Sequence, residues 1–214
     1  MPVGSRLVVV SAHPDDETIG AGRLLSLHAG EALAVCLSRG EGCFAGSDVD
    51  PNDLGFARLA EWRSAVAELG GRTHESLEYW PDGELGRHAG AITDFLAEIV
   101  RPADVVVATW RHDPHPDHVA VGRAAAAVAE SRGVQLVEYP VWAPYWMSPQ
   151  DVLATGDKLI PIRTSDSASA ARERALRRYS SQLEPFRPRW APVVPAELVL
   201  RHPEQLIASR ALPG

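Results

Sequence analysis

Leu7-Val8-Val9-Val10-Ser11-Ala12-His13-Pro14-Asp15-Asp16-Glu17 sets a short apolar, β-branched run directly against a histidine and three carboxylates. A run of this length reads as a buried strand that ends where the polar cluster begins. Further along, Val105-Val106-Val107-Ala108 leads in the same way to His115-Pro116-Asp117-His118. If the two strands are neighbours in one parallel sheet, both clusters emerge at the same edge. Imidazoles and carboxylates then converge on one point, as a divalent-metal site requires.

Working outward, β-branched runs alternate with longer helical segments. Residues 7–11, 33–37, 74–80, 105–109 and 134–138 read as strands, the last closing the series. Residues 16–29, 54–69, 89–100, 119–130 and 168–179 read as helices, with Gly30 and Gly70-Gly71 as stop signals. Arg39-Gly40-Glu41-Gly42 forms a Gly-rich loop, and Pro81-Asp82-Gly83 a turn. This rhythm predicts an α/β fold with a mainly parallel sheet and helices on both faces. Ligands in such sheets bind beyond the carboxyl ends of the strands, the edge where both histidine clusters fall. Residues from about 140 to 165 are Pro-rich and aromatic, with Trp142, Pro144, Tyr145 and Trp146, and read as an irregular excursion. A Pro-studded tail begins at about 185. With no internal repeat and no linker, residues 1–214 read as a single domain.

Composition bounds the function. Hydrophobic content of 45% and charged content of 23% fit a soluble globular protein. A net charge of −7 gives no nucleic-acid footprint, which would be basic and clustered. The two cysteines, Cys36 and Cys43, lack CxxC spacing and read as free thiols in a reducing compartment. No apolar run approaches the roughly 20 residues needed to cross a bilayer, and the N-terminus lacks a signal-peptide pattern. The expectation is a soluble, cytoplasmic protein without integral membrane association.

Pro14 and the carboxylates after it would suit a plain helix start, where acidic side chains meet the positive end of the helix dipole. That account leaves the histidines unexplained. A catalytic zinc site takes three protein ligands and keeps a fourth position open. His13 and Asp16 can close on one ion from a strand-to-helix turn, and His118 can supply the third ligand from across the sheet. Nitrogen and oxygen ligands of this kind suit Zn2+ and also admit Fe2+ and other divalent ions. A cation there lowers the pKa of a coordinated water towards about 7. Asp15 is then left beside the metal as a general base. His115, as imidazolium, would stabilise an oxyanion or protonate a leaving group. Asp117 reads either as a partner raising the basicity of His115 or as a helix N-terminal carboxylate.

The pair Ala12-His13-Pro14-Asp15-Asp16-Glu17 and His115-Pro116-Asp117-His118 resembles the zinc-dependent N-deacetylases of the LmbE/PIG-L type, over residues 7–182. Members remove acetyl groups from N-acetylglucosamine moieties on varied carriers. The resemblance implies a Rossmann-like, LmbE-like fold and a small-molecule N-acylated amino-sugar conjugate as substrate. It implies His13, Asp16 and His118 as zinc ligands, Asp15 as the base and His115 as the electrophilic or acid residue. It adds Arg58 and Asp82 as substrate-binding residues, and Ser181-Gln182 as a structural element. Arg58 has a plain alternative as a helix-face partner of Glu61, and Asp82 as a turn residue. Some relatives carry a tyrosine two residues before the first histidine of the second motif, where this chain has Asp113. Trp142, Tyr145 and Trp146 read either as a platform for a sugar ring or as a packed loop, with Trp142 inclined to pack and Trp146 to be exposed.

Two other functions compete. Paired acids after a first strand also hold Mg2+ in receiver-like signalling modules, which leaves His13 and His118 without a role and needs a third carboxylate at a middle strand. A catalytically idle, sugar-binding relative would have no need of Asp15 and His115.

Overall fold

The computed structural model describes residues 4–75 and 79–208. Among them a seven-stranded sheet runs in the order β3-β2-β1-β4-β5-β7-β6. Its strands are β1 (Leu7–Ser11), β2 (Ala32–Cys36), β3 (Arg72–Glu75), β4 (Val105–Thr109), β5 (Gln135–Tyr139), β6 (Lys158–Pro161) and β7 (Gln205–Ala208). The helices are α1 (Asp16–Leu27), α2 (Pro51–Glu68), α3 (Ala89–Ile99), α4 (Pro116–Arg132), α5 (Ala143–Trp146), α6 (Pro149–Ala154), α7 (Asp166–Leu176), α8 (Ser180–Leu183) and α9 (Ala196–Arg201).

The first five strands are all parallel. β1 and β4 are buried along their whole length, as central strands covered on both faces must be. Their side chains alternate between two cores. Leu7, Val9, Val105 and Val107 face α1, α2 and α7, whereas Val8, Val10, Val106 and Ala108 face α3 and α4. β1 pairs with β2 on one side and β4 on the other, with Leu7 opposite Val105 and Val10 opposite Ala108. The chain winds one way from β1 to β3 and the other way from β4, so the β1/β4 boundary is the topological switch point where such sheets bind ligands. That register is what delivers the two histidine segments to one place.

Three expectations are corrected. α2 begins at Pro51 rather than 54, because the Asp50 side chain accepts from the N–H groups of Asn52 and Asp53 and supplies the N-cap. The strand expected over 74–80 is instead Arg72–Glu75. Tyr79 and Trp80 lie outside it, and 76–78 lie outside the described residues. Finally, β5 does not close the sheet. The segment from 140 to 165 carries α5, α6 and β6, and the Pro-rich tail returns as α9 and β7. β7 inserts antiparallel between β5 and β6.

A buried charge cluster holds that tail. Glu204 is fully buried, pairs with the Arg172 guanidinium and accepts from the Arg23 backbone N–H. Arg172 in turn donates to the carbonyl of Ile19 at 3.0 Å. The tail is thereby tied to α1 and α7 through buried charge pairing as well as apolar area.

Candidate metal centre and its cleft

The β1–α1 turn is shaped by Asp16, whose Oδ2 accepts from the backbone N–H groups of Ala12 at 3.1 Å and His13 at 2.8 Å. Those bonds aim Oδ1 and the His13 ring across the switch point. From the other side, β4 ends at Thr109 and α4 begins with His115 at its N-cap, Pro116 in its first turn and His118 one turn in. Gly122 lets α4 lie close to the end of β4, because a Cβ there would sit 2.5 Å from the Thr109 carbonyl oxygen.

Ligand atoms of three residues meet as a result. His13 Nδ1 is 3.2 Å from His118 Nε2, His118 Nε2 is 3.2 Å from Asp16 Oδ1, and His13 Nδ1 is 3.5 Å from Asp16 Oδ2. Tetrahedral ligands about 2.0–2.1 Å from a zinc ion lie about 3.3–3.4 Å apart, which the His13–His118 and His118–Asp16 Oδ1 spacings match, with Asp16 Oδ2 nearest His13. Two ring N–H groups cannot face each other at 3.2 Å, so the His13–His118 contact needs a lone pair there or a cation between the nitrogens.

Each ring has a carboxylate behind it. His118 Nδ1 lies 2.9 Å from Asp113 Oδ1, and His13 Nε2 lies 3.0 Å from Asp82 Oδ1 and 3.4 Å from Asp117 Oδ2. Such carboxylate–histidine pairs are the usual support of metal-bound imidazoles. Two groupings have ligand atoms mutually within 4.8 Å, both of them containing His13: His13, His115 and His118, and His13, Asp82 and Asp117. In the latter the carboxylates are already committed to the backbone N–H groups of Gly42, Gly83 and Leu85. In the former, His115 Nδ1 is occupied by the Asp117 N–H.

The electrostatics favour positive charge at this point. Burial lowers the His118 pKa, but Asp16 and Asp113 outweigh it and push it up to about 9. His13 is also raised well above its usual value, its burial overcome by Asp117, Asp16 and Asp82. Asp16 is held well below the carboxylate range, because the two histidines outweigh its burial. A divalent cation answers the same demand, displacing the ring protons.

Asp15 lies in the wall of a cleft of about 250 Å³ together with His13, Asp16, Arg58, Asp82 and His115. Burial pushes its carboxyl up to about 6, with Arg58 opposing and Asp16 reinforcing. Arg58 is only 3% exposed; it donates to the Gly40 carbonyl at 2.5 Å and to Asp15 Oδ2 at 3.3 Å. Gly40 is required here: its φ is +63°, and a Cβ would lie 1.9 Å from the guanidinium. Glu61 does not take up Arg58 but accepts from Ser180 and Ser181. The substrate-facing arginine of the sequence reading thus lines the cleft while its donors hold the candidate base.

His115 and Asp117 also differ from expectation. The His115 Nδ1 accepts from the Asp117 backbone N–H at 3.2 Å, as an N-cap does, which leaves Nε2 as the protonated nitrogen. The Asp117 carboxylate is turned away to Gly83, Leu85 and His13. Burial lowers the His115 pKa to about 4, and His118 and His13 add to the effect. The lowered pKa and the Nδ1 contact both favour a neutral His115 ring with its proton on Nε2. Asp82, expected beside substrate, lines the cleft and also braces His13.

Asp113 was legible only as a missing tyrosine. It is 2% exposed, and besides His118 it accepts from the backbone N–H groups of His115, Val141, Trp142 and Ala143. Gln182, read as structural, also lines the cleft. Trp142 is half-buried against the core, whereas Tyr145 and Trp146 are 47% and 55% exposed. The receiver-like alternative finds no third carboxylate at the ends of the strands flanking β1, which are Cys36 and Thr109.

The PIG-L family profile, described as GlcNAc-PI de-N-acetylase, matches residues 8–129. The chain is 29% identical over 203 residues to a 1D-myo-inositol 2-acetamido-2-deoxy-alpha-D-glucopyranoside deacetylase of Streptomyces avermitilis, covering 80% of this chain and 67% of that protein. It is 30% identical over 179 residues to the protein of the same name in Mycolicibacterium smegmatis, covering 66% and 58%. The chain thus spans well short of these relatives' full length. Among solved structures, a deacetylase of the teicoplanin biosynthetic pathway superposes with a TM-score of 0.64 at 20% identity, covering 84% of this chain and 83% of that one. The N,N'-diacetylchitobiose deacetylase of Pyrococcus horikoshii gives 0.60 at 18%, covering 81% and 69%. A 4-carboxy-2-hydroxymuconate hydratase of Pseudomonas putida gives 0.58 at 18%, covering 83% and 80%. The shared fold therefore hosts more than one chemistry, and the reaction must be argued from the site.

Proposed function

Because the chain belongs to the PIG-L, GlcNAc-PI de-N-acetylase family, we propose that it hydrolyses the N-acetyl group of an N-acetylglucosamine-type amino-sugar conjugate. The relatives named for deacetylation of an acetamido-glucopyranoside of inositol support the substrate class. The observation that carries the reading is the meeting of His13 Nδ1, His118 Nε2 and Asp16 within 3.2–3.5 Å, at a cleft also lined by Asp15 and His115.

His13, Asp16 and His118 would hold the ion, with Zn2+ favoured by the His2Asp set and Fe2+ also suited. Bound there, it supplies Lewis acidity to the amide carbonyl and makes water easier to deprotonate. Asp15 takes a proton from water as its oxygen adds to the carbonyl carbon. The His115 Nε2–H donates to the oxygen on which negative charge develops. Asp15 then returns the proton to the sugar nitrogen as the C–N bond breaks, giving a free amine and acetate. Arg58 fixes the Asp15 carboxylate in place, and Asp82 and Asp113 fix the two imidazoles.

No described helix is long and apolar enough to cross a membrane. The two free cysteines suit a reducing compartment, so the reading extends to the cytoplasm. The test is metal analysis of the purified protein with an amine-release screen over N-acetylated sugars. The expected result is a bound divalent ion and amine release that a chelator stops and added metal restores. Metal-loaded protein that releases amine from none of these sugars overturns the reading.

A further inference from the structure

Immediately after β5, residues 141–147 read Val-Trp-Ala-Pro-Tyr-Trp-Met, without a charged side chain. Val141 and Trp142 line the cleft. Trp146 lies one helical turn beyond, its N–H bonded to the Trp142 carbonyl at 2.9 Å. Its indole stacks on that of Trp142, with centroids 4.4 Å apart and planes 16° apart, and Tyr145 sits edge-on to Trp142 at 6.3 Å. Trp146 and Tyr145 are 55% and 47% exposed. One exposed aromatic ring is ordinary. Two that both contact a ring of the cleft wall extend that wall with exposed aromatic surface.

The platform is also held rigid. Asp113 Oδ2 accepts from the N–H groups of Val141, Trp142 and Ala143 at 2.9, 2.9 and 3.2 Å, so the strip is anchored by the carboxylate that supports His118. A preorganised aromatic surface binds a flat ring with little ordering cost. The strip's polar side-chain groups are the Tyr145 hydroxyl and the indole N–H donors of Trp142 and Trp146, which leaves a single acceptor for the hydroxyls of a second sugar. On other loops beside the cleft, Phe44, next to cleft-lining Cys43, packs on Phe186 and Trp190 at 4.9 and 5.1 Å.

We propose that Trp142, Tyr145 and Trp146 form a subsite for a flat, apolar aglycone carried by the amino sugar. This rests on the deacetylase reading above and narrows its substrate class. The test compares kcat/KM for the phenyl, 4-methylumbelliferyl and methyl glycosides of N-acetylglucosamine and for N,N'-diacetylchitobiose, with quenching of tryptophan fluorescence by the aromatic glycosides as a readout independent of turnover. The expected result is a preference of about tenfold for the aromatic glycosides over the methyl glycoside, expressed mainly in KM. Trp146→Ala should collapse that preference and the quenching, and Trp146→Phe should retain most of both. Equal kcat/KM for aromatic and methyl glycosides, a preference for the disaccharide, or an unchanged preference in Trp146→Ala overturns the subsite. Quenching without turnover of any acetylated sugar would sink the deacetylase reading while leaving the platform standing.

Discussion

Asp113 reaches His118 Nδ1 with one carboxylate oxygen at 2.9 Å, and its other oxygen gathers three consecutive backbone N–H groups from 141–143. One buried side chain therefore orients a candidate metal ligand and fixes the loop that begins the aromatic strip. Removing it frees the imidazole to turn and leaves those N–H groups unsatisfied. Asp113→Ala is expected to weaken metal binding by about 10–100-fold, read by titration against a competing chelator. Unchanged affinity would show that Asp113 serves the loop alone.

Asp15 should separate chemistry from metal binding. Asp15→Asn keeps the shape and the Arg58 contact but cannot accept the proton, so turnover should fall by about 10²–10⁴-fold while metal content stays as in the parent protein. Loss of metal instead would reassign Asp15 as a ligand.

The pH profile follows from the same carboxyl group. A base works only when ionised, and burial has raised this one to about 6. The kcat/KM is therefore expected to rise with pH through that region and to fall on acidification below it. The acid limb should be absent from the residual rate of Asp15→Asn.

His115 carries a different signature. With its pKa lowered to about 4 by burial and its two histidine neighbours, its neutral form prevails above that value. No loss of activity from its deprotonation is expected on raising the pH from 5 to 8. His115→Ala should cost about 10²–10³-fold in kcat, the typical effect of losing one oxyanion donor. A descending limb near neutrality that disappears in His115→Ala would restore the imidazolium role.

Stability should be sensitive at a distance from the cleft. Glu204 and Arg172 are both buried, so Glu204→Ala leaves a guanidinium without its counter-charge. Breaking a buried pair from one side costs about 3–5 kcal/mol, measurable as a lower midpoint in urea. A change below about 1 kcal/mol would mean that water reaches the cluster and screens it.

Much of this architecture was legible because it is periodic or clustered. β1 and β4 are unbroken apolar runs, and the histidine motifs at their ends announce themselves by residue type. What escaped reading depends on contacts distant in sequence. β6 and β7 are four residues each, too short for a periodic pattern, and Pro-rich flanks mask them. Asp113 looks like any loop carboxylate until its partners, up to 30 residues away, are known. The His115 tautomer is set by a backbone N–H, which no residue type reveals.

The inserted position of β7 has a bearing on how the chain acquires its form during synthesis. β1 to β5 can pair with one another in turn as they leave the ribosome, but the described neighbour of β6 is a strand that begins 44 residues after β6 ends, at Gln205 against Pro161. Until that late segment emerges, Lys158–Pro161 has no edge to join. The nascent protein then exposes an unpaired ribbon, and its sheet waits on the synthesis of Gln205–Ala208.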